Sequence, residues 1–201
     1  MSLYTFSPEK SFLARLYWSN QNTPVETFDQ TRFQPIGVTV RQPSPSGLNG
    51  WLHADQDNVT APEPKRYYTG RKFVHPFWFG CYDTEGEHDY EIRAAGTIKH
   101  RQWTFANHRL DISTNGYLGV YPTPDEPGHD ALANGTMLWR CEGLPTQGLA
   151  EGGRWAGLVF SSVHNKKIKR LRENDFPYLN ENEGEEGWLA LEVVKMGVAK
   201  P

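Results

Sequence analysis

The sequence predicts an α+β fold that is mainly antiparallel β-sheet with a few short helices. Short apolar segments rich in β-branched and aromatic residues recur along the 201 residues. Nineteen Gly and 14 Pro supply many turns, which favours strands joined by loops over a helical bundle. Helical periodicity is confined to two short segments. No linker divides the chain into two compositions, so we expect a single domain over residues 1–201.

Ten segments carry the strand signal of short length, β-branched or aromatic content and Gly, Pro or Asn borders. They are Phe12–Trp18, Ile36–Val40, Phe73–Tyr82, Tyr90–Ala95, Trp103–Phe105, Arg109–Ile112, Tyr117–Tyr121, Met137–Cys141, Gly157–Val163 and Trp188–Val194. The two helical segments are Glu26–Thr31, after Pro24, and His164–Glu173, with Asn165 as a cap.

Charge and hydropathy exclude several classes of protein. A net charge of −3 argues against nucleic acid as the main partner, because phosphate binding requires a concentrated basic face. The basic run Lys166–Arg172 is balanced by the acidic run Glu181–Glu186, and both are expected to be solvated. No apolar segment approaches the roughly 20 residues that a membrane helix needs. Hence we expect no membrane span.

The sequence leaves location and cysteine pairing open. Its start shows no basic region followed by an apolar run, so no secretory signal is visible, although a mature exported chain would look the same. The chain is thus either exported or cytoplasmic. Cys81 and Cys141 can form at most one disulfide, and the sequence does not decide whether they pair.

The most informative motif is a predicted strand that is ended by a polar segment and followed by a Phe-x-Pro-x-Gly sequence. It reads Tyr17-Trp-Ser-Asn-Gln-Asn-Thr-Pro-Val-Glu-Thr-Phe28, followed by Phe33-Gln-Pro-Ile-Gly37. This order resembles the opening of the mono-ADP-ribosyltransferase toxins of the cholera and heat-labile enterotoxin A-chain type. Similar segments follow in the family's order, so that the resemblance covers about residues 12–142. They are Asn49–Ala54, Asp89–Ala95, Leu118–Glu126 and Asp130–Gly135.

The resemblance implies a split β-sheet core with short helices and an NAD-sized cleft. It implies transfer of ADP-ribose from NAD to an unidentified protein acceptor. By the same resemblance, Arg15 and Glu126 are the catalytic candidates: Arg15 would hold the diphosphate, and Glu126 would stabilise the cation that forms as nicotinamide leaves. The cofactor-binding candidates are Tyr17, His53 and Phe79.

Several family positions are substituted. Trp18 stands where the family has its Arg, and Gly128 stands where it has the second, catalytic Glu. The family's Ser-Thr-Ser strand end has no counterpart near Phe79. A neutral indole cannot pair with phosphate, so the sequence predicts an enzyme that is weak or rewired, or a binding protein without activity.

An internal repeat predicts an alternative fold, which is all-β and of the β-trefoil type. Asn49-Gly-Trp-Leu52 is repeated as Asn115-Gly-Tyr-Leu118, and Trp78-Phe-Gly-Cys81 is echoed by Trp139-Arg-Cys141. A loose third copy runs from Phe160 to Trp188. This alternative predicts a non-enzymatic carbohydrate-binding lectin with sugar sites near Asp55–Asn58, Asp111–Tyr117 and His164–Asn165.

Metal and thiol chemistry find little support in the sequence. The seven histidines include no His-x-x-x-His pair, and no Cys-x-x-Cys is present, so no metal site is predicted. Cys141 lies in an apolar strand segment, where a packed thiol is the simpler interpretation than a nucleophile. The aromatic segment Phe77–Phe79 is interpreted as core, with a ring-stacking surface as the alternative.

Overall fold

The computed structural model describes residues 4–19, 27–29, 32–41, 50–54, 68–73, 76–84, 86–95, 97–98, 103–104, 108–122, 138–162, 164–173 and 176–200. Every regular element among them is a β-strand. In chain order the strands are β1 (Thr5–Ser19), β2 (Gln34–Arg41), β3 (Gly50–Ala54), β4 (Tyr68–Phe73), β5 (Phe77–Thr84), β6 (Glu87–Ala94), β7 (Thr97–Ile98), β8 (Trp103–Thr104), β9 (His108–Ile112), β10 (Leu118–Pro122), β11 (Trp139–Glu142), β12 (Arg154–Ser162), β13 (Lys169–Glu173), β14 (Phe176–Asn180) and β15 (Trp188–Met196).

Six of these strands form a closed antiparallel ring. Following the pairings, β1 lies beside β5, β5 beside β6, β6 beside β11, β11 beside β12, and β12 beside β15. The ring closes because β15 returns to β1 along most of its length, from Phe12↔Met196 to Ser19↔Trp188. Closure leaves the ring strands with a neighbour on each side, which satisfies their backbone groups and leaves no free edge.

The remaining strands lie in every second connection of the ring. Strands β2–β4 follow the first ring strand, β7–β10 follow the third, and β13–β14 follow the fifth. Each connection contributes one antiparallel hairpin: β2–β3, β9–β10 and β13–β14. The three hairpins also contact each other, through Trp51↔Gly119, His53↔Tyr178 and Tyr117↔Asn180. A six-stranded ring with three such hairpins is the strand arrangement of a β-trefoil.

Alternation along the ring strands builds the core. Neighbouring residues of a strand face opposite sides, so alternate positions point into the ring. Phe12 stacks on Phe79 and Trp139 stacks on Phe160, each pair with ring centroids 4.9 Å apart. Each hairpin contributes a buried leucine at a matching place in this core, namely Leu52, Leu118 and Leu179, and the β9–β10 hairpin adds Leu110. Burying such a side chain contributes about 1.5–3 kcal/mol.

The predicted α+β class is wrong, because the described residues contain strands and no helix. The split β-sheet core with short helices that the enterotoxin resemblance implied is wrong for the same reason. The segment predicted as a helix over His164–Glu173 is a turn followed by β13. Its residues alternate, with Ile168 and Arg170 buried, and Asn165 adopts a φ of 55°, which an α-helix does not contain. Of the other predicted helix, Glu26–Thr31, residues 27–29 carry no helix and the rest lies outside the described residues.

The all-β class named as the alternative is the class of the described residues. The internal repeat that predicts it requires two corrections. The third copy of the aromatic-leucine pair is Tyr178–Leu179, so the three pairs stand at matching places in β3, at the start of β10, and in β14. In the repeat, Trp139 corresponds to Phe79 and not to Trp78, because Phe79 and Trp139 both point into the core. Trp78 faces outward and donates its indole N–H to the Val198 carbonyl at 2.8 Å.

Two further features complete the fold. Among the described residues, none forms a helix long and apolar enough to cross a membrane.

Cys81 and Cys141 are both free thiols within ring strands. Burial raises the pKa of each thiol to about 12. Neither is therefore a ready nucleophile near neutral pH.

Candidate functional site

Aromatic rings meet where the three hairpins touch. Trp51 stacks on Tyr117 with centroids 5.1 Å apart, and Tyr178 packs edge-on against both, at 5.4 and 5.5 Å. Phe176 extends the group by stacking on Tyr178 at 5.6 Å. We call these four residues the hairpin face. Trp51, Tyr117 and Tyr178 each precede a core leucine, so they point away from the ring core, and Phe176 shares the face of Tyr178 because it lies two residues before it in β14.

The turn before β10 brings the backbone of one hairpin against another. Ser113 closes it: its Oγ accepts from the Tyr117 N–H at 3.0 Å, and its carbonyl accepts from the Gly116 N–H at 2.9 Å. Gly116 has a φ of +83°, and a Cβ added there would lie 2.5 Å from the side-chain amide nitrogen, Nδ2, of Asn182. Both the conformation and the space thus require glycine, and its carbonyl accepts from the Glu181 N–H at 2.9 Å.

Beside the hairpin face lies a group of polar side chains that we call the polar cluster: His164, Lys166, Asn180, Glu181 and Asn182. Its centre is Glu181, a carboxylate whose side chain is only 7% exposed. The buried Ser162 hydroxyl donates to one of its oxygens at 3.0 Å. The side-chain nitrogens of His164 and Lys166 each lie 3.6 Å from the carboxylate, beyond ordinary hydrogen-bond length.

Asparagine side chains hold the polar cluster in place. The Asn180 Oδ1 accepts from the backbone N–H groups of Asn182 and Glu183, at 2.7 and 3.0 Å, which fixes a tight Asx turn. Its Nδ2 donates to the Asn115 carbonyl at 3.2 Å. Lys166 donates to the Asn182 Oδ1 at 2.7 Å. These bonds join two hairpins, so the donors and acceptors of the polar cluster are held on rigid strands and turns.

The arrangement combines two recognition elements. The hairpin face offers flat apolar rings, and Tyr117 also carries a hydroxyl that donates to Glu173. The polar cluster offers carboxylate and amide oxygens beside amine and imidazole nitrogens, with His164 and Lys166 about half exposed. A ligand with one apolar face and several hydroxyl groups would match both elements.

The residues predicted to bind NAD do not converge. Arg15 and Tyr17 lie together on the outer face of β1, where both contact Glu192. Phe79 lies on the opposite side of the ring wall, in the core. His53 is buried in β3, opposite Tyr178 and thus next to the hairpin face. Glu126 lies outside the described residues.

Two pKa shifts mark the group around Glu192. Burial and the neighbouring Glu192 carboxylate raise the pKa of Tyr17, since both disfavour a second negative charge. The pKa of Glu192 is lowered. Burial alone would raise it, but the hydrogen bond and positive charge of Arg154 and the hydrogen bond from Tyr17 outweigh that effect. Glu192 is therefore ionised and held by its partners.

The three predicted sugar sites fare differently. Asp55–Asn58 lies outside the described residues. The end of the Asp111–Tyr117 segment and the His164–Asn165 turn both adjoin the Asn180–Asn182 turn, so the structure brings two of the predicted sites together. Asp111 itself is turned to Arg109, at 2.9 Å. Sequence reasoning missed Tyr178, Glu181 and Asn182, although the Tyr178–Leu179 pair, matching Trp51–Leu52 and Tyr117–Leu118, was a usable signal.

No protein-family model matches the chain, and no curated protein is significantly similar to it. Within the part of the chain that the structure describes, no three His, Cys, Asp or Glu side chains are grouped to hold a metal ion. The site must therefore be interpreted from its own chemistry.

Proposed function

We propose that this chain is a carbohydrate-binding protein without catalytic activity, and that the hairpin face and the polar cluster together form its binding surface. The observation that carries the proposal is their adjacency: Tyr117 of the hairpin face pairs with Asn180 of the polar cluster. A pyranose has an apolar C–H face and a rim of hydroxyl groups, so it needs a ring to lie on and hydrogen-bonding partners at the ring's edge.

Roles can be assigned to the side chains. Trp51 and Tyr117 are partly exposed and would carry the apolar face of the sugar. Asn182 and Glu181 would accept hydrogen bonds from sugar hydroxyls, while Lys166 and His164 would donate them. Ser162 and Asn180 would act indirectly, because they orient the carboxylate and the turn. The three-hairpin arrangement supports the proposal, since it places these residues on one surface.

A glycan microarray probed with the labelled protein, followed by titration of the best oligosaccharide, tests the proposal. Trp51→Ala should weaken binding about tenfold or more, because the stacking surface is lost. Asn182→Ala should weaken it about threefold to tenfold, the value of one hydrogen bond.

The matched control is Phe6→Ala. Phe6 is also an exposed aromatic residue, 36% accessible, but it lies on β1 next to Trp78 and Tyr82. Its substitution should leave sugar affinity unchanged. Equal losses from Trp51→Ala and Phe6→Ala, or no glycan binding by the folded wild-type protein, would contradict the proposal.

NAD-dependent transfer of ADP-ribose to a protein acceptor stays a prediction of the enterotoxin resemblance. The proximity of Arg15 to Tyr17 is the one observation that favours it. Incubation with NAD tests it directly, by nicotinamide release and by the shift in melting temperature. Release that Glu126→Gln abolishes would establish the activity and would overturn the assignment of the chain as non-catalytic.

A further inference from the structure

A second polar site lies on the outer face of the ring, where three neighbouring strands place charged residues side by side. Arg15 of β1 and Arg154 of β12 both stand opposite Glu192 of β15. Opposite residues on adjacent strands point to the same face of a sheet, so the three side chains form a row, Arg–Glu–Arg.

The central carboxylate has more positive partners than it needs. Arg154 donates to Glu192 Oε1 through Nη2 at 2.9 Å and Nε at 3.3 Å. The other oxygen receives the Tyr17 hydroxyl at 3.2 Å and Arg15 Nη1 at 3.5 Å. One carboxylate thus faces two guanidinium groups, and the row has a formal net charge of +1.

The row is held by aromatic packing. The Arg154 guanidinium lies over the Phe28 ring, 5.1 Å from its centroid. Phe28 is itself fixed between Tyr17, at 4.9 Å, and Phe33, at 5.5 Å. Glu192 and Phe28 together fix the plane of Arg154, which lowers the entropy that a ligand would have to remove.

The arginines keep outward donors. Glu192 occupies the Nε–Nη2 edge of Arg154, so the other edge of the planar fork, at Nη1, faces away from it. Arg15 and Arg154 have side chains 46% and 45% exposed, whereas Glu192 is 16% exposed. Solvent therefore meets two cationic groups with the neutralising carboxylate beneath them.

We propose that Arg15 and Arg154 form a binding site for the carboxylate group of an acidic ligand, with Glu192, Tyr17 and Phe28 as positioning residues. This site is separate from the hairpin face and does not depend on the proposed function. A planar carboxylate fits a guanidinium edge with two parallel N–H···O bonds, which gives the site geometric as well as electrostatic selectivity.

The test is an NMR titration of the Arg Nε–H signals of the full chain with D-glucuronate, at constant ionic strength. D-glucose is the matched probe, because it has a hydroxymethyl group where glucuronate has the carboxylate. We expect glucuronate to shift the Arg15 and Arg154 signals and glucose to leave them unchanged. Arg172, an exposed arginine on β13, is the internal control and should not shift. Equal shifts at Arg172, or no shifts at Arg15 and Arg154, would overturn the proposal.

Two variants act in opposite directions. Arg154→Gln should lower the glucuronate association constant about tenfold or more, because a charge-assisted pair is lost. Glu192→Gln should raise it about threefold to tenfold, since the competing negative charge is removed. If the row is purely structural, neither substitution will change the association constant for glucuronate. That result would refute the site, provided that both variants stay folded.

Discussion

Glu181 and Glu192 show two ways of holding a largely buried carboxylate between two nitrogen-bearing side chains. In the polar cluster, Glu181 receives its short bond from the neutral Ser162 hydroxyl, and the His164 and Lys166 nitrogens stay 3.6 Å away. On the outer face, Glu192 is bound directly by Arg154 at 2.9 Å. The first carboxylate keeps acceptor capacity for a neutral ligand rich in hydroxyl groups. The second carboxylate is neutralised by its neighbours, and the two arginines beside it present positive charge, which suits an anionic ligand.

The largest expected effect comes from the turn that supports Glu181. Gly116→Ala should destabilise the protein by about 2–3 kcal/mol, because it combines a left-handed φ with a Cβ that would meet the Asn182 amide. Gly148→Ala is the matched control, since Gly148 has a similar φ of +80° and nothing within 4 Å of an added Cβ. Chemical denaturation measures both. Equal losses would mean that the contact with Asn182 adds nothing to the cost at Gly116.

Removal of the Glu181 carboxylate should come next. Glu181→Ala leaves the buried Ser162 hydroxyl without its acceptor and should cost about 1–3 kcal/mol. Glu181→Gln keeps an oxygen acceptor, so it should cost distinctly less. The comparison is made by denaturant unfolding at pH 7, and a Gln variant as unstable as the Ala variant would show that the negative charge itself matters.

At Glu192 the effect should appear as pH dependence. Because the pKa of Glu192 is lower in the folded protein than in the unfolded chain, its stabilising effect is present above the unfolded pKa and is lost as pH falls through the folded pKa. Glu192→Gln should therefore reduce the loss of stability as the pH falls below about 5, by less than about 1 kcal/mol, because its arginine partners are about half exposed. Thermal unfolding across this range measures it, with Glu183→Gln as the exposed control.

The smallest effect should be that of Lys166. Its amine is about half exposed and lies 3.6 Å from Glu181, so Lys166→Ala should change stability by no more than about 0.5 kcal/mol. Sugar affinity should nevertheless fall, because a donor at the edge of the hairpin face is removed. A large loss of stability would place Lys166 among the structural partners of Glu181 and weaken its assigned binding role.

Sequence reasoning found the ring strands because their signal is local. Phe12–Trp18, Tyr90–Ala95 and Trp188–Val194 alternate or concentrate apolar residues. The first and third lie within strands of the ring, and the second overlaps β6 up to Ala94. It failed at the third hairpin. The basic residues of β13 suggested a solvated helix, and Pro177 in β14 weakened the strand signal. Pairing of these two segments along Lys169–Glu173 and Phe176–Asn180 is a tertiary fact that neither segment shows alone.

The candidate sites were harder to predict for the same reason. The sequence predicts Tyr117 and His164 as sugar-site residues, but Asn180 and Asn115, which hydrogen-bond to each other, are 65 positions apart. Arg15 and Glu192 are 177 positions apart. Residue type and local spacing cannot reveal such partners, because only the closure of the ring and the meeting of the hairpins bring them together.

Ring closure also sets the order of events during synthesis. Strand β1 is made before its closing neighbour β15, which follows only after some 170 further residues. Until then the large inward side chains Phe12, Leu16 and Trp18 lack one of the walls that cover them. Contacts of such high sequence separation make folding slow, on the order of milliseconds to seconds, and the nascent chain should expose an apolar surface that chaperones recognise.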